Sequence, residues 1–314
     1  MTTSHTHLPN PLGAPEPGPK RQAWWRQFAA LWAFGLREYR LWQSYRVNQV
    51  LWMTNILVTT LLFFLLGQTI ASQAAALLGP AYGTNYMSFV VIGVTVNVFI
   101  ATNLSDPFFR IQRSYFTGTM DLFLLSPMSI YTPLLGLMAR SVLDDYPRLF
   151  FTFGFGMLLF GATFNFTYWP LALLFTVLFL AAGFGLGMLS ASSFYLLDIK
   201  RGTEPIQFVI QQLLATLLAG TYYPVTVLPT PLQWIACLIP HTYAYDALRR
   251  LLDPGARASV AVLPIQQVFP GISPVLVDGI ALMLFTVILV PLGVFAYGSG
   301  IERARRNGTL TRWQ

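Results

Sequence analysis

Asp144 and Asp145 stand between Arg140 and Arg148 and form the densest group of titratable side chains within a largely apolar stretch. The chemistry open to two neighbouring carboxylates is proton transfer, as a membrane-embedded transferase would need. Their spacing argues for a plainer role. Asp144 follows Arg140 by four residues and Arg148 follows Asp145 by three, so on one helix these charges pair with one another and become tolerable near a membrane interface. The histidines His5, His7 and His241 adjoin no carboxylate cluster, and His241, directly after Pro240, reads as a turn or interface residue. The one cysteine, Cys237, can build neither an intramolecular disulfide nor a clustered thiolate metal site. No G-x-x-x-x-G-K-[ST] phosphate loop occurs, so the usual backbone cradle for nucleotide phosphates is missing. Gly183, Gly185 and Gly187 imitate part of a dinucleotide motif, but they lie in an apolar helical stretch with no preceding strand; close helix packing through Gly183 and Gly187 is the better account.

No bond-breaking centre is legible in these residues. Hydrophobic residues make up 55% of the 314-residue chain and charged residues 10%, against roughly 25% charged in an ordinary soluble domain. The chain therefore reads as an all-α integral membrane protein with six transmembrane helices. Residues 1–21, with five prolines and no apolar run, read as a disordered cytosolic tail without a signal peptide. Over 22–46, Trp24, Phe28, Leu31, Trp32, Tyr39 and Trp42 share one helical face opposite Arg26, Arg37 and Arg40, the pattern of an amphipathic interfacial helix lying on membrane lipids.

The transmembrane domain extends over 47–301. The uncharged run Val47–Ser105 predicts two spans, near Gln49–Ala71 and Tyr86–Leu104, separated by a turn at Gly79, Pro80 and Gly83. Asp106–Ile130 predicts a short cytosolic helix closed by Pro127. Two further spans fit from about Pro133 to Leu197 with an outer turn at Asn165–Pro170, a fifth fits Pro205–Val225, and a sixth fits Gly279–Ile301. Pro224, Pro229, Pro231 and Pro240 interrupt the segment about 224–253, which predicts two short re-entrant or surface helices rather than a span.

Residues 302–314 form a basic tail. Six Lys and Arg precede the first span, two stand in each of the loops at 110–113 and 200–201, and four follow the last span, against three (Arg249, Arg250, Arg257) on the other side. That excess places both termini in the cytosol. The net charge of +7 is thus topological, and nucleic acid is not an expected partner. Asn55, Asn97, Asn103, Gln211 and Gln212, with Thr54, are polar groups inside predicted spans, suited equally to gluing helices and to lining a wet path.

Gly118–Pro127, GTMDLFLLSP, resembles the segment of the type 2 ABC exporter permease family in which a Gly-Thr pair opens a cytosolic coupling helix, here about 113–126. Gly220–Leu252, GTYYPVTVLPTPLQWIACLIPHTYAYDALRRLL, is similar to the same family's Gly-x-x-x-Pro, Leu-Pro and aromatic-alanine motif ending in arginine. The likeness covers about 22–306. It departs from the family at Ser114–Phe116, where an acidic residue usually precedes the Gly-Thr pair.

The resemblance implies a membrane permease subunit of an ATP-binding cassette exporter in the inner (cytoplasmic) membrane. A separate ATPase subunit would bind ATP and Mg, with no cofactor on this chain, and a second permease copy, expected as a homodimer, would complete a two-plus-two complex. It implies ATPase coupling through Arg110, Arg113, Gly118, Thr119, Asp121, Leu122 and Pro127. The pathway would run between the first, second and fifth spans, lined by Asn55, Phe63, Phe64, Asn97, Asn103, Gln211, Gln212 and Thr216. Tyr222, Tyr223 and Pro224 would form an outer gate. The aromatic, uncharged lining favours a hydrophobic or amphipathic cargo such as a drug or lipid. A secondary transporter or channel is the main alternative, and a membrane-embedded transferase a lesser one.

Overall fold

The computed structural model describes residues 46–69, 78–83, 85–118, 131–197, 215–257 and 259–308, together with a few isolated positions. The tail 1–21, nearly all of the predicted interfacial helix 22–46, residues 119–130 of the coupling segment, most of the fifth span and the end of the basic tail lie outside the described residues. The described elements are α1 (Arg46–Thr69), α2 (Tyr86–Phe116), α3 (Tyr131–Phe160), α4 (Trp169–Leu196), α5 (Thr230–Ala236), α6 (Pro240–Leu252), α7 (Pro264–Val268) and α8 (Pro274–Arg306), with a 3-10 turn at Val225–Val227. Among the described residues there is no strand, only an isolated antiparallel bridge between Tyr82 and Ala256.

Three of these helices, over Gln49–Thr69, Trp169–Leu196 and Pro274–Arg306, are long and apolar enough to cross a membrane. Shorter apolar stretches occupy Tyr86–Asn97 and Pro147–Phe160. The helix ends follow local chemistry. Asn85 caps α2 by accepting from the N–H groups of Met87 and Ser88 at 3.0 and 3.2 Å. Ser273 caps α8 with Pro274 in the first turn, and Pro170 stands in the first turn of α4.

Two boundaries differ from expectation. Asp106–Phe116 is not a separate cytosolic helix but continues the second predicted span as one 31-residue helix with Pro107 inside it. A proline within a helix removes one backbone bond without forcing an end when the surrounding turns hold. The helix stops at Thr117, followed by Gly118 in the left-handed region at φ 71°. The last span starts five residues earlier than predicted, at Pro274, and so takes Asp278 into its first turns.

The core forms where α4 packs against α8 and α2, with α6 filling the angle between them. Phe175, Phe179, Leu186, Leu248, Leu263 and Leu282 bury there, and a second cluster of Phe108, Leu134, Phe194, Tyr297 and Ile301 lies towards the other end. Gly185, rather than Gly183, permits the close approach of α4 and α8. A Cβ on Gly185 would stand 2.5 Å from the carbonyl carbon of Leu289 and 2.7 Å from the Val290 nitrogen, whereas one on Gly183 meets nothing within 4 Å. Thr286 Oγ1 crosses the same interface to the Leu178 carbonyl at 3.0 Å. The outward sides of α1 and α8 carry rows of exposed Leu, Ile, Val and Phe, among them Leu51, Leu62, Leu65, Leu284, Val287 and Phe295, an apolar exterior suited to lipid.

Candidate functional site

The proline-interrupted segment folds into α5 and α6 as two short helices, as predicted in number, and α6 becomes the most polar buried element of the structure. Its sequence, PHTYAYDALRRLL, places His241, Tyr245, Asp246, Arg249 and Arg250 inside rather than at the surface. Burying such groups is costly unless each finds partners, and most do.

Arg249 is 2% exposed. Its Nε donates to the Phe89 carbonyl on α2 at 3.1 Å, Nη1 to the Gly220 carbonyl at 2.6 Å and Nη2 to the Thr221 carbonyl at 2.7 Å. The guanidinium also lies 3.4 Å from the centre of the Phe89 ring, a cation–π contact strengthened by loss of water. Gly220 and Thr221 follow the point where the helix of the fifth predicted span ends, and Gly220 has φ 83°. Carbonyls freed by that break need donors, and the planar fork of Arg249 supplies them. Gly93 on α2 faces the same place, where a Cβ would run into the Thr221 carbonyl oxygen and Arg249 Nη2.

Asp246 and Arg250, one turn apart, form a buried ion pair with Nε to Oδ1 at 2.8 Å. Tyr82, from the turn after α1, donates its hydroxyl to the same Oδ1 at 2.6 Å. Arg250 Nη1 reaches the Arg257 carbonyl at 2.9 Å, and the Arg257 N–H returns to the Ala81 carbonyl at 2.8 Å. Gly83 and Gly255 touch backbone to backbone, so closely that a Cβ on Gly83 would stand 2.8 Å from the Gly255 Cα. Gln266 of α7 donates from Nε2 to Asp246 Oδ2 at 2.5 Å and to Asp278 Oδ1 of α8 at 2.8 Å. Burial, then the Asp246 carboxylate, pushes the Tyr82 phenol well above its ordinary value, so Tyr82 acts as a neutral donor. Burial lifts the Asp253 carboxyl to about 6 against the opposing N–H of Gly255.

Through this network one side chain, Asp246, joins the turn at Tyr82, the loop at Arg257, α7 and α8. Its oxygens are occupied by donors in a buried site, an arrangement that holds segments together and offers no exposed nucleophile. Tyr82→Phe is therefore expected to lower stability by about 1–2 kcal/mol through loss of one buried hydrogen bond to a charged acceptor, read as a lower midpoint of thermal unfolding in detergent, with the secondary structure unchanged by circular dichroism.

The predicted pathway and gate residues are only partly brought together. Phe63 of α1 stacks on Tyr222 with ring centres 4.6 Å apart, and the Tyr86 hydroxyl reaches the Tyr222 carbonyl at 3.4 Å. Tyr245 donates to Asn97 Oδ1 at 3.3 Å. Tyr223 donates its hydroxyl to the Leu217 carbonyl, Pro224 is buried, and Thr216 is half-buried. Phe64 packs instead against Phe160 at 5.0 Å, and Asn55 is exposed on α1. Asn103 lies on α2. Gln211 and Gln212 lie outside the described residues, as do Thr119, Asp121, Leu122 and Pro127. Arg110 and Arg113 lie on the final turns of α2, half-buried and exposed respectively. His241, with Phe179 edge-on at 5.6 Å, is a buried packing residue.

An open groove of about 550 Å³ between α3 and α8, lined by Tyr131, Pro291, Val294, Phe295, Gly298, Ser299 and Glu302, shares no residue with the predicted pathway. Among the described residues no group of three or more His, Cys, Asp or Glu side chains could hold a metal.

The sequence counted Arg249 and Arg250 only as charges on the non-cytosolic side and at the end of the second motif; in the structure both are buried. Tyr82, Asp246, Gln266 and Asp278 carried no expectation. The available signal was Asp246 and Arg250 at a four-residue spacing in an otherwise apolar stretch, the same rule applied to Arg140 and Asp144. No protein-family model matches the chain, and no curated protein matches its sequence.

Proposed function

We propose that the chain is the membrane permease subunit of an ATP-binding cassette exporter, crossing the inner membrane six times with α5 and α6 as re-entrant helices on the outer side and both termini in the cytosol. A separate ATPase binds ATP and Mg, a second permease copy completes the complex, and a hydrophobic or amphipathic cargo moves outward. The observation that carries this reading is the occurrence on one chain of both motifs, Gly118–Pro127 and Gly220–Leu252, in the order and spacing of the exporter permeases, with no phosphate loop of its own. Two structural features are in keeping with it. Gly118 ends α2 abruptly in a conformation suited to glycine, as a joint before a coupling helix would require. The second motif packs as one body around Arg249 and Asp246, as an outer cap would.

In this mechanism nucleotide binding closes the ATPase dimer and displaces the segment after Gly118, and the permease shifts between inward- and outward-facing states. The test is reconstitution of the chain with an ATP-binding cassette subunit in vesicles. Transport that requires ATP supports the proposal; transport by the chain alone, driven by an ion gradient, overturns it in favour of a secondary carrier. Gly118→Val probes the joint. No atom crowds a Cβ there, so the cost is the left-handed backbone alone, about 1–2 kcal/mol. The variant is expected to insert and fold while losing most substrate-stimulated ATPase activity, and Asp121→Asn should act in the same direction. Wild-type stimulation in both variants removes the coupling assignment.

A further inference from the structure

Asp246 and Asp278 are 2% and 0% exposed, and both carboxyl groups accept from the same nitrogen, Gln266 Nε2, at 2.5 and 2.8 Å. Gln266 holds them together through one amide nitrogen. That amide cannot turn over, because its oxygen already accepts from the N–H groups of Val262 and Leu263 at 2.9 and 3.1 Å. Both of its N–H bonds are therefore spent, one on each carboxyl group. Among the described residues Asp278 Oδ2 is left buried without a donor.

The charges around the pair do not balance if both carboxyls are ionised. Among the described residues Arg250 is the only cation in an ion pair with either carboxyl, through Asp246. Arg249 donates to the carbonyls of Phe89, Gly220 and Thr221, and its charge is set against Asp253 as well as Asp246, so two arginines face three buried carboxyls. Tyr82 contributes a neutral hydroxyl, while Cys237 and Tyr243, on the Asp278 side, are tied to each other through the Cys237 carbonyl. Tyr245 turns towards Asn97, His241 packs on Phe179, and Asp253 takes the Gly255 N–H. A second buried carboxylate with one oxygen unpartnered is strongly unfavourable. A proton on one carboxyl removes the excess charge and supplies the missing donor at once.

We propose that Asp246 and Asp278 bind one proton between them in the folded protein at neutral pH, making the junction of the Tyr82 turn, α6, α7 and α8 a proton-binding site. The proton comes from solvent and is shared by the pair, with Arg250 compensating the single remaining negative charge. This inference does not depend on the exporter reading.

The sign of the resulting pH dependence is fixed. The folded state holds a proton that two ordinary unfolded carboxyls, titrating near 4, have released, so stability falls as pH rises, by the full one-proton slope until the pair itself ionises, above which it levels off. Asp253, at about 6, adds loss of the same sign only at lower pH, as pH rises towards that value.

The full chain in detergent, followed by thermal unfolding from neutral to alkaline pH, tests this. The wild type is expected to lose about tenfold in its folding equilibrium per pH unit for the one extra proton. In Asp278→Asn an amide N–H replaces the carboxyl proton, so this component of the slope should vanish, with stability at alkaline pH equal to or above wild type. A wild-type slope retained in Asp278→Asn overturns the proposal. A second measurement does not depend on the variant folding. Infrared spectra of the wild type with carbon-13-labelled aspartate should show the carbonyl stretch of a protonated aspartic acid at neutral pH, lost at alkaline pH. Absence of that band overturns the proposal as well.

Discussion

Arg249→Ala is expected to cost about 3–5 kcal/mol of stability, enough to leave much of the protein unfolded or retained by quality control. Three main-chain carbonyls on two separate segments lose their donor together, and the Phe89 ring loses the guanidinium 3.4 Å from its centre. The loss falls on the break at Gly220–Thr221, where no helical turn can supply replacement donors. Arg249→Lys keeps the charge but replaces a planar fork by a single ammonium, so its unfolding midpoint should lie between those of the alanine variant and the wild type. Thermal unfolding in detergent, with intact chain recovered as a monodisperse species, measures both. An alanine variant as stable as the wild type would mean that the break is held by something other than Arg249.

Gly185→Val is expected to reach or exceed the upper end of the about 1–3 kcal/mol range for overpacking. The atoms it would strike belong to the α8 backbone at Leu289 and Val290, which cannot rotate out of the way as a side chain can. The helices must separate, and the Thr286 to Leu178 contact goes with them. Gly183→Ala, two residues away with open space at its Cβ, serves as the control: it should be neutral or stabilising by about 0.5–1 kcal/mol, since it removes a flexible residue from a helix interior. Equal behaviour of the two variants would refute the assignment of the close contact to Gly185.

Long, strongly apolar elements were readable in the residues. The first predicted span begins and ends within three residues of α1, and the turn at Asn165–Pro170 falls where α3 gives way to α4, because uncharged runs flanked by Pro, Gly and Asn leave few alternatives. The continuity of α2 through Asp106 and Pro107 was not readable, since charge and proline both suggest an end, while the packing of Phe108 against Phe194 beyond them is a tertiary contact with no local signal. The contrast between Gly183 and Gly185 was equally hidden, because both lie on an apolar helix and only the partner's position distinguishes them. At the candidate site, Phe63 stacks on Tyr222, a contact between residues assigned separately to the pathway and the gate. The Asp246 network was missed because its members come from five separate segments, and pairing between residues as distant as Tyr82 and Asp246 has no local periodicity.

The continuity of α2 has a mechanical consequence. Thirty-one residues at 1.5 Å each make a rod of about 46 Å, longer than the roughly 30 Å hydrocarbon layer. Near one end Phe89 is gripped by Arg249; at the other stands Gly118. On the proposed exporter reading, a push delivered beyond Gly118 would reach the arginine clamp as tilt or translation of a stiff shaft, and Pro107, with no N–H to close its turn, is a place along it where bending could absorb the stroke before it arrives.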